Sequence, residues 1–168
     1  MLTSFRFGVH AAAAALLGAA SSPALAGTAS SSMSVTATVT ANCTVSTTAL
    51  AFGSVDTISG SNVDSTGSLS IICTNGTTWA ASAGVGSGSG ASYVNRRMTS
   101  GANLLNYNIY TTAARTIVWG NGTAGTGTIP GTGTGLAQSV TVYGRVNSGQ
   151  TSVPAGSYAD TVAVTVTY

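Results

Sequence analysis

The chain has 168 residues, of which only 5% are charged, with a formal net charge of +2 and neither lysine nor glutamate. So few cations cannot form the basic face that binding to nucleic-acid phosphates requires, and a hydrophobic content of 43% excludes charge-rich disorder. The abundance of Val, Thr, Ser, Ala and Gly favours an all-β fold with a single sandwich domain.

Residues 1–26 have the pattern of a secretory signal peptide. Arg6 supplies a positive charge, a small apolar run extends from Phe7 to Ala20, and Ala24-Leu25-Ala26 matches the small-x-small cleavage pattern. The apolar run is too short to span a bilayer. We therefore expect cleavage after Ala26 and an exported, soluble chain that does not insert into a membrane.

The first segment after this signal alternates with a period of two, which predicts a half-buried strand. One face carries Met33, Val35, Ala37, Val39, Ala41, Cys43 and Val45. Ser, Thr and Asn occupy the positions between them. A run of this length exceeds the usual five or six residues, so it could complete its own sheet or that of another chain.

The two cysteines, Cys43 and Cys73, fit one structural disulfide in an exported domain. A zinc site is not expected, because two isolated cysteines without histidine after residue 26 do not provide four tetrahedral ligands. We expect no metal and no cofactor.

Shorter strand patterns follow, separated by turn residues. Leu50 to Gly53 is a short segment, and Leu69 to Thr74 reads as a strand that ends at Asn75-Gly76. That dipeptide favours a type I′ hairpin, with a returning strand that places Trp79, Ala81, Ala83 and Val85 on one face. Further strands are predicted at 104–110, 116–119 and 138–146, with a long low-complexity loop over 120–135.

The last predicted strand runs from Tyr158 to Tyr168 and alternates again. One face carries Tyr158, Asp160, Val162, Val164, Val166 and Tyr168. Ala and Thr occupy the other face. Many sandwiches end on a strand, so this pattern by itself does not indicate a function.

Catalytic chemistry is not expected. Because no histidine follows residue 26, Ser–His and Cys–His nucleophile pairs are excluded. Paired carboxylates would require two of Asp56, Asp64 and Asp160. Asp56 and Asp64 lie in a Ser/Gly-rich stretch typical of solvated turns, and we expect Asp160 to bind nearby backbone groups or hydroxyls. We expect the protein not to be an enzyme.

Two further motifs do not indicate a ligand site. Residues 120–125 match the dinucleotide-binding pattern GxGxxG, but they open no helix and no acidic residue follows at the distance that ribose binding requires, so a dinucleotide site is rejected. Arg96-Arg97 could form a small anion patch, although solvated arginines at a strand end are more common. We interpret the glycines as a flexible loop and the arginines as solvated.

Taken in order, several short motifs resemble the spore coat protein U domain family, the subunit type of archaic chaperone–usher pili. The matching stretches are 42–45 (NCTV), 50–53 (LAFG), 71–76 (IICTNG), 97–98 (RM), 105–110 (LNYNIY), 118–120 (VWG), 142–146 (VYGRV) and 156–162 (GSYADTV), followed by Val164, Val166 and Tyr168. Together they cover nearly all of the chain after residue 26, and their order and spacing carry the resemblance.

The resemblance implies an all-β, incomplete immunoglobulin-like sandwich that lacks its seventh strand and is completed by a donor strand. Residues 1–26 would be the signal peptide, 27–41 the donor segment and 42–168 the sandwich domain. The donor side chains would be Met33, Val35, Ala37 and Val39. The last strand would form the acceptor edge and would dock on a chaperone through Val162, Val164, Val166, Tyr168 and the C-terminal carboxylate.

The function implied is that of a structural subunit of a surface pilus with a role in adhesion or biofilm formation. Its partners would be other pilus subunits, a periplasmic chaperone and an outer-membrane usher, and it would pass through the periplasm to the cell surface. The alternative is a secreted coat or matrix protein that completes its own sandwich, or a sugar- or protein-binding module. A tip adhesin is a third possibility, for which the chain offers room for one domain only.

Overall fold

The computed structural model describes residues 25–168. The predicted signal peptide falls almost entirely outside these residues. Contacts divide the chain into two units, Met1–Ala37 and Thr38–Tyr168. In the first unit, residues 25–37 are exposed and belong to no strand. Among residues 25–168 no helix is long and apolar enough to cross a membrane. The predicted boundary between donor segment and domain at residue 41 stays a prediction.

The second unit is an all-β sandwich of two antiparallel sheets, as predicted. Its strands are β1 (Cys43–Thr47), β2 (Val63–Cys73), β3 (Thr78–Ala83), β4 (Arg96–Ser100), β5 (Asn103–Tyr110), β6 (Ile129–Thr132), β7 (Gln138–Val146) and β8 (Val164–Thr167). One sheet has the order β1-β2-β7-β5-β4 and the other the order β6-β3-β8. Both sheets contribute to one core, in which alternate residues of β2, β3, β5 and β7 are buried together with Trp119.

Alternation located the central strands correctly. β7 begins and ends where the pattern predicts, and β5 buries the predicted face of Leu105, Tyr107 and Ile109. The predicted disulfide is confirmed: Cys43 and Cys73 are bonded, and they lie directly opposite each other where β1 pairs with β2.

The hairpin prediction at Asn75-Gly76 is wrong, because β2 and β3 lie in different sheets. Gly76 has a φ of +79°, and Asn75 is absent from the non-glycine residues with positive φ. A type I′ turn needs positive φ at both central positions, whereas a type II turn needs it only at the second. The turn at Asn75-Gly76 therefore has the φ pattern of type II and not of type I′. It leads the chain from the five-stranded sheet to the three-stranded sheet.

The long terminal strands are shorter than predicted. Residues 33–42 form no strand, and regular pairing begins at Cys43. The prediction was too long because alternating side chains show which face is apolar but not whether a neighbouring strand is present. At the other end, Ala159 pairs with Thr99 of the five-stranded sheet before β8 joins the three-stranded sheet. The residues between these two pairings, 160–163, belong to neither sheet, and this interruption shortens the predicted strand.

Two strands were not predicted. β4 contains Arg96 and Arg97, whose charge argues against a core strand, and β6 lies inside the stretch interpreted as a low-complexity loop. The predicted strand at 116–119 is reduced to isolated bridges at Val118 and Trp119.

Candidate acceptor groove

A large open groove lies within the second unit, with a volume of about 1230 Å³. Its floor consists of buried core side chains of the five-stranded sheet together with Trp119 from a connecting loop; the sheet residues are Leu69, Leu105, Tyr107, Ile109 and Val142. One wall is the segment 47–58 that follows β1, and the other is the segment 153–164 that leads into β8. The sandwich core is therefore open along one side.

Glycines in the five-stranded sheet hold the first wall close to the floor. Leu50 and Phe52 lie against Gly144, where a Cβ atom would collide with both, and Leu50 also lies against Gly67, where a Cβ atom would be a tight 3.1 Å away. The Phe52 ring meets the ring of Tyr107 edge-on, with 6.0 Å between centroids. Glycine inside a strand often marks such a close approach of another chain segment, and this is the signal in the sequence that could have located the wall.

Asp160 secures the second wall at the point where the chain changes sheets. Its carboxylate accepts hydrogen bonds from the Tyr107 hydroxyl (2.7 Å), from the Ser87 backbone N–H (2.6 Å) and hydroxyl (2.7 Å), and from the Thr161 N–H (2.7 Å). Burial acts to raise the pKa of Asp160, but these hydrogen bonds outweigh it and hold the pKa below its ordinary value. The expected role of Asp160 as a structural acceptor is confirmed.

Arg96 is buried completely, which corrects its interpretation as a solvated residue. Its Nε and Nη2 both donate to the Gly84 carbonyl (2.9 and 2.6 Å). Nη2 also donates to the Trp119 carbonyl (2.7 Å), and Nη1 donates to Asn108 Oδ1 (2.8 Å). Burial lowers the pKa of Arg96, although an arginine keeps its proton in proteins. The guanidinium thus ties β4 to the end of β3 and to the loop that carries Trp119.

Arg97 differs from its neighbour. It is partly exposed and donates one hydrogen bond, to the Ser89 carbonyl at 2.9 Å. The arginine pair is therefore not a surface anion patch.

The other two carboxylates have separate structural roles. Asp56 Oδ1 accepts the backbone N–H groups of Ile58 (2.9 Å) and Ser59 (3.2 Å), as expected for a turn. Asp64 lies in β2 and not in a loop, and Arg145 donates to both its oxygens at 2.7 and 2.8 Å. The hydrogen bond with Arg145 is the largest cause of the lowered pKa of Asp64.

The sheet edges differ in their ability to accept another strand. Pro130 lies in edge strand β6 and provides no N–H for a neighbour. At the β4 edge, Thr99 and Ala159 exchange both backbone hydrogen bonds (2.8 and 3.1 Å). Within residues 25–168, β8 pairs on one side only, with β3, and β1 pairs only with β2. β1 and β8 contact each other without pairing, so the unpaired edges of the two sheets lie close together.

The predicted site residues fall into two groups. Val162, Val164 and Val166 are half-buried against the core, while Tyr168 is 56% exposed. The predicted donor side chains are exposed in the single chain. Met33 is 88% exposed, Val35 85% and Val39 84%, and Ala37 is also exposed. Their roles as acceptor edge and donor stay predictions.

The second unit is thus an immunoglobulin-like β-sandwich with one strand position open. Residues 29–165 match the Spore Coat Protein U domain family, and the chain belongs to that family. It is 43% identical over 130 residues to "Protein U" of Myxococcus xanthus, with 71% of each chain covered.

The fold also resembles a solved structure, the CsuC-CsuE chaperone–tip adhesion subunit pre-assembly complex from archaic chaperone-usher Csu pili of Acinetobacter baumannii. The TM-score is 0.56 at 23% sequence identity, over 78% of this chain. The match spans 40% of the chain in that structure. This likeness concerns the fold.

Proposed function

We propose that the protein is a structural, non-catalytic subunit of a surface pilus assembled through the chaperone–usher pathway, and that the fibre serves in adhesion or biofilm formation. The observation that carries the proposal is the open groove with its apolar floor, next to a β8 edge that pairs on one side only. In the fibre, the groove of one subunit accepts the segment Met33–Val39 of another, by donor-strand complementation.

The size of the groove supports this assignment. Met33–Val39 comprises seven residues, and seven residues of strand span about 20 Å, which is enough to cover the four residues of β8 and to continue along the adjoining wall. A volume of about 1230 Å³ is above the range of roughly 300–1,000 Å³ that is typical of small-ligand pockets. A groove of this size and apolar floor suits an extended peptide.

Side-chain alternation fixes how the donor lies in the groove. Met33, Val35, Ala37 and Val39 share one face, and the residues between them are Ser and Thr. A shift by one residue would turn the hydroxyl face into the apolar groove, so only registers of one parity are favourable. Burying Met33, Val35 and Val39 contributes about 1.5–3 kcal/mol each, and each ladder hydrogen bond to the β8 edge adds about 0.5–1.5 kcal/mol.

The same groove explains the need for assembly partners. An empty groove leaves the half-buried apolar side chains of its walls and the unpaired backbone groups of the β8 edge uncovered, which promotes aggregation. A periplasmic chaperone would cover it after export by the signal peptide, docking on Val162, Val164, Val166 and Tyr168, and an outer-membrane usher would exchange the chaperone for the next subunit. The similar fold in a chaperone–tip adhesion subunit complex supports a partner of this kind.

A matched pair of charge substitutions tests the donor assignment. Val35→Asp places a carboxylate on the face that enters the groove, at a cost of several kcal/mol. Thr36→Asp places the same charge on the opposite face. We expect Val35→Asp to abolish fibre formation and Thr36→Asp to retain it. Equal polymerisation by the two variants would contradict the proposal.

Deleting residues 27–37 distinguishes the pilus-subunit hypothesis from the alternative, a secreted coat protein that completes its own sandwich. We expect the truncated chain to fold with chaperone and to accept a donor from another subunit, but to be unable to donate. If it fails to fold both alone and with chaperone, then the segment completes its own domain and the pilus assignment is wrong.

A further inference from the structure

Thr74 makes most of the contacts that hold the base of the N-terminal segment, where the Tyr168 hydroxyl also lies 3.5 Å from Asn42 Oδ1. The Asn42 backbone N–H donates to Thr74 Oγ1 at 3.1 Å, and the Thr74 N–H donates to the Asn42 carbonyl at 2.9 Å. The Thr74 hydroxyl also lies 3.4 Å from the carbonyl oxygens of Thr40 and Asn42. These contacts continue the β1–β2 pairing beyond the disulfide, where Cys43 faces Cys73.

This continuation affects where the segment can reach. The first wall of the groove begins at Thr47, at the C-terminal end of β1, whereas Asn42 lies just beyond its N-terminal end. The segment precedes β1, so entry into the chain's own groove would require a reversal of direction between Val39 and Cys43. Thr40, Ala41 and Asn42 include no Gly or Pro, and Asn42, a residue type that favours turns, is held in line with β1 by its two backbone hydrogen bonds with Thr74.

We infer that Thr74 is a positioning residue that holds the base of the donor segment extended and thereby favours insertion into another subunit over insertion into the chain's own groove. This inference rests on the proposed function. It assigns to Thr74 a role in partner choice that is separate from the stability of the sandwich.

Three variants of the full mature chain test the inference. Thr74→Val keeps the shape but removes the hydroxyl, and Thr74→Ser keeps the hydroxyl. Thr44→Val is the matched control, because the Thr44 hydroxyl, on neighbouring β1, has no hydrogen-bond partner among the residues that the structure describes. Loss of one hydrogen bond should speed amide exchange at Asn42 about two- to tenfold in Thr74→Val and leave it unchanged in the other two.

The decisive readout is the partition between self-inserted monomer and oligomer, measured by size-exclusion chromatography after refolding without other proteins. We expect Thr74→Val to raise the monomer share about two- to tenfold relative to oligomer, while Thr74→Ser and Thr44→Val match the wild type. An unchanged partition in Thr74→Val overturns the inference, even if Asn42 exchanges faster.

The wild-type sample distinguishes this failure from failure of the proposed function. If wild-type chains form no oligomer and bind no added peptide of residues 28–41, then the groove is not an acceptor and both proposals are wrong. If they oligomerise and bind the peptide but Thr74→Val behaves identically, only the inference about Thr74 is wrong.

Discussion

Replacing Arg96 with methionine tests how the sandwich stays together while one strand position is open. The guanidinium makes four hydrogen bonds of 2.9 Å or less, to Gly84, Trp119 and Asn108. Methionine fills much of the same space but leaves these three acceptors without their donor. Arg96 lies in β4 of the five-stranded sheet, and Gly84 directly follows β3 of the three-stranded sheet, so the loss affects a contact between the two sheets.

The magnitude follows from the buried acceptors. Each buried polar group left without a partner costs about 1–3 kcal/mol, so the Gly84 and Trp119 carbonyls together account for about 2–6 kcal/mol. Because Asn108 Oδ1 also accepts the Ile109 N–H at 2.9 Å, it is not left without a partner, and we expect a total of about 2–6 kcal/mol for Arg96→Met. Lysine has no planar fork, so Arg96→Lys should recover only part of the loss.

Urea unfolding followed by tryptophan fluorescence measures this cost, since Trp79 and Trp119 are both buried. Arg97→Met is the matched control. Arg97 lies next to Arg96 on the same strand but makes one hydrogen bond at an exposed site, and should lose less than about 1 kcal/mol. A loss below about 1 kcal/mol for Arg96→Met, or an equal loss for both variants, would refute the role assigned to Arg96.

Three further predictions concern stability. Replacing both Cys43 and Cys73 with serine should cost about 3–4 kcal/mol, because the bond closes a separation of 30 residues. Asp160→Asn should cost about 1–2 kcal/mol at neutral pH after allowance for solvent screening. Since the folded pKa of Asp160 is lowered from 3.8, its contribution is complete above that value and is lost as the pH falls through the folded pKa. Gly131→Ala should cost about 1–3 kcal/mol, because the added Cβ collides with the Trp79 ring.

Each of these predictions has an outcome that would contradict it. An unchanged urea midpoint after removal of the disulfide would show that the 30-residue loop is already constrained in the unfolded chain. The difference between wild type and Asp160→Asn must shrink on acidification; a difference that is constant from pH 7 to about pH 2 would reject the carboxylate as its source. Gly84→Ala, whose Cβ meets only ordinary contacts beginning at 3.6 Å, controls for Gly131→Ala and should cost distinctly less.

The sequence was informative where one face of a strand meets the core. β7 alternates over its nine residues and β5 buries alternate apolar side chains at Leu105, Tyr107 and Ile109, and the pattern located both. β6 was missed because Pro130 and Gly131 are poor strand formers, and β4 because Arg96 carries a charge. What buries Arg96 is a set of carbonyls from residues 12 and 23 positions away, and such a set has no periodicity along the chain.

The groove could be predicted only in part. Alternation identified the face of Val162 and Val164, which lines one wall, but nothing in residues 47–58 indicated the opposite wall. That wall depends on Leu50 and Phe52 packing over glycines far along the chain. Alternation from Met33 onward predicts an apolar face. It does not show whether that face packs against the same chain or against another subunit.

A photo-reactive side chain in the donor segment tests the central claim most directly. We expect a peptide of residues 28–41 that carries the group at position 35 to label the groove residues of the protein, in segments 47–58 and 153–164. The same group at position 36 lies on the opposite face and should label these segments far less. Equal labelling from both positions, or labelling outside the groove, would contradict the claim that Met33–Val39 enters the groove as a donor strand.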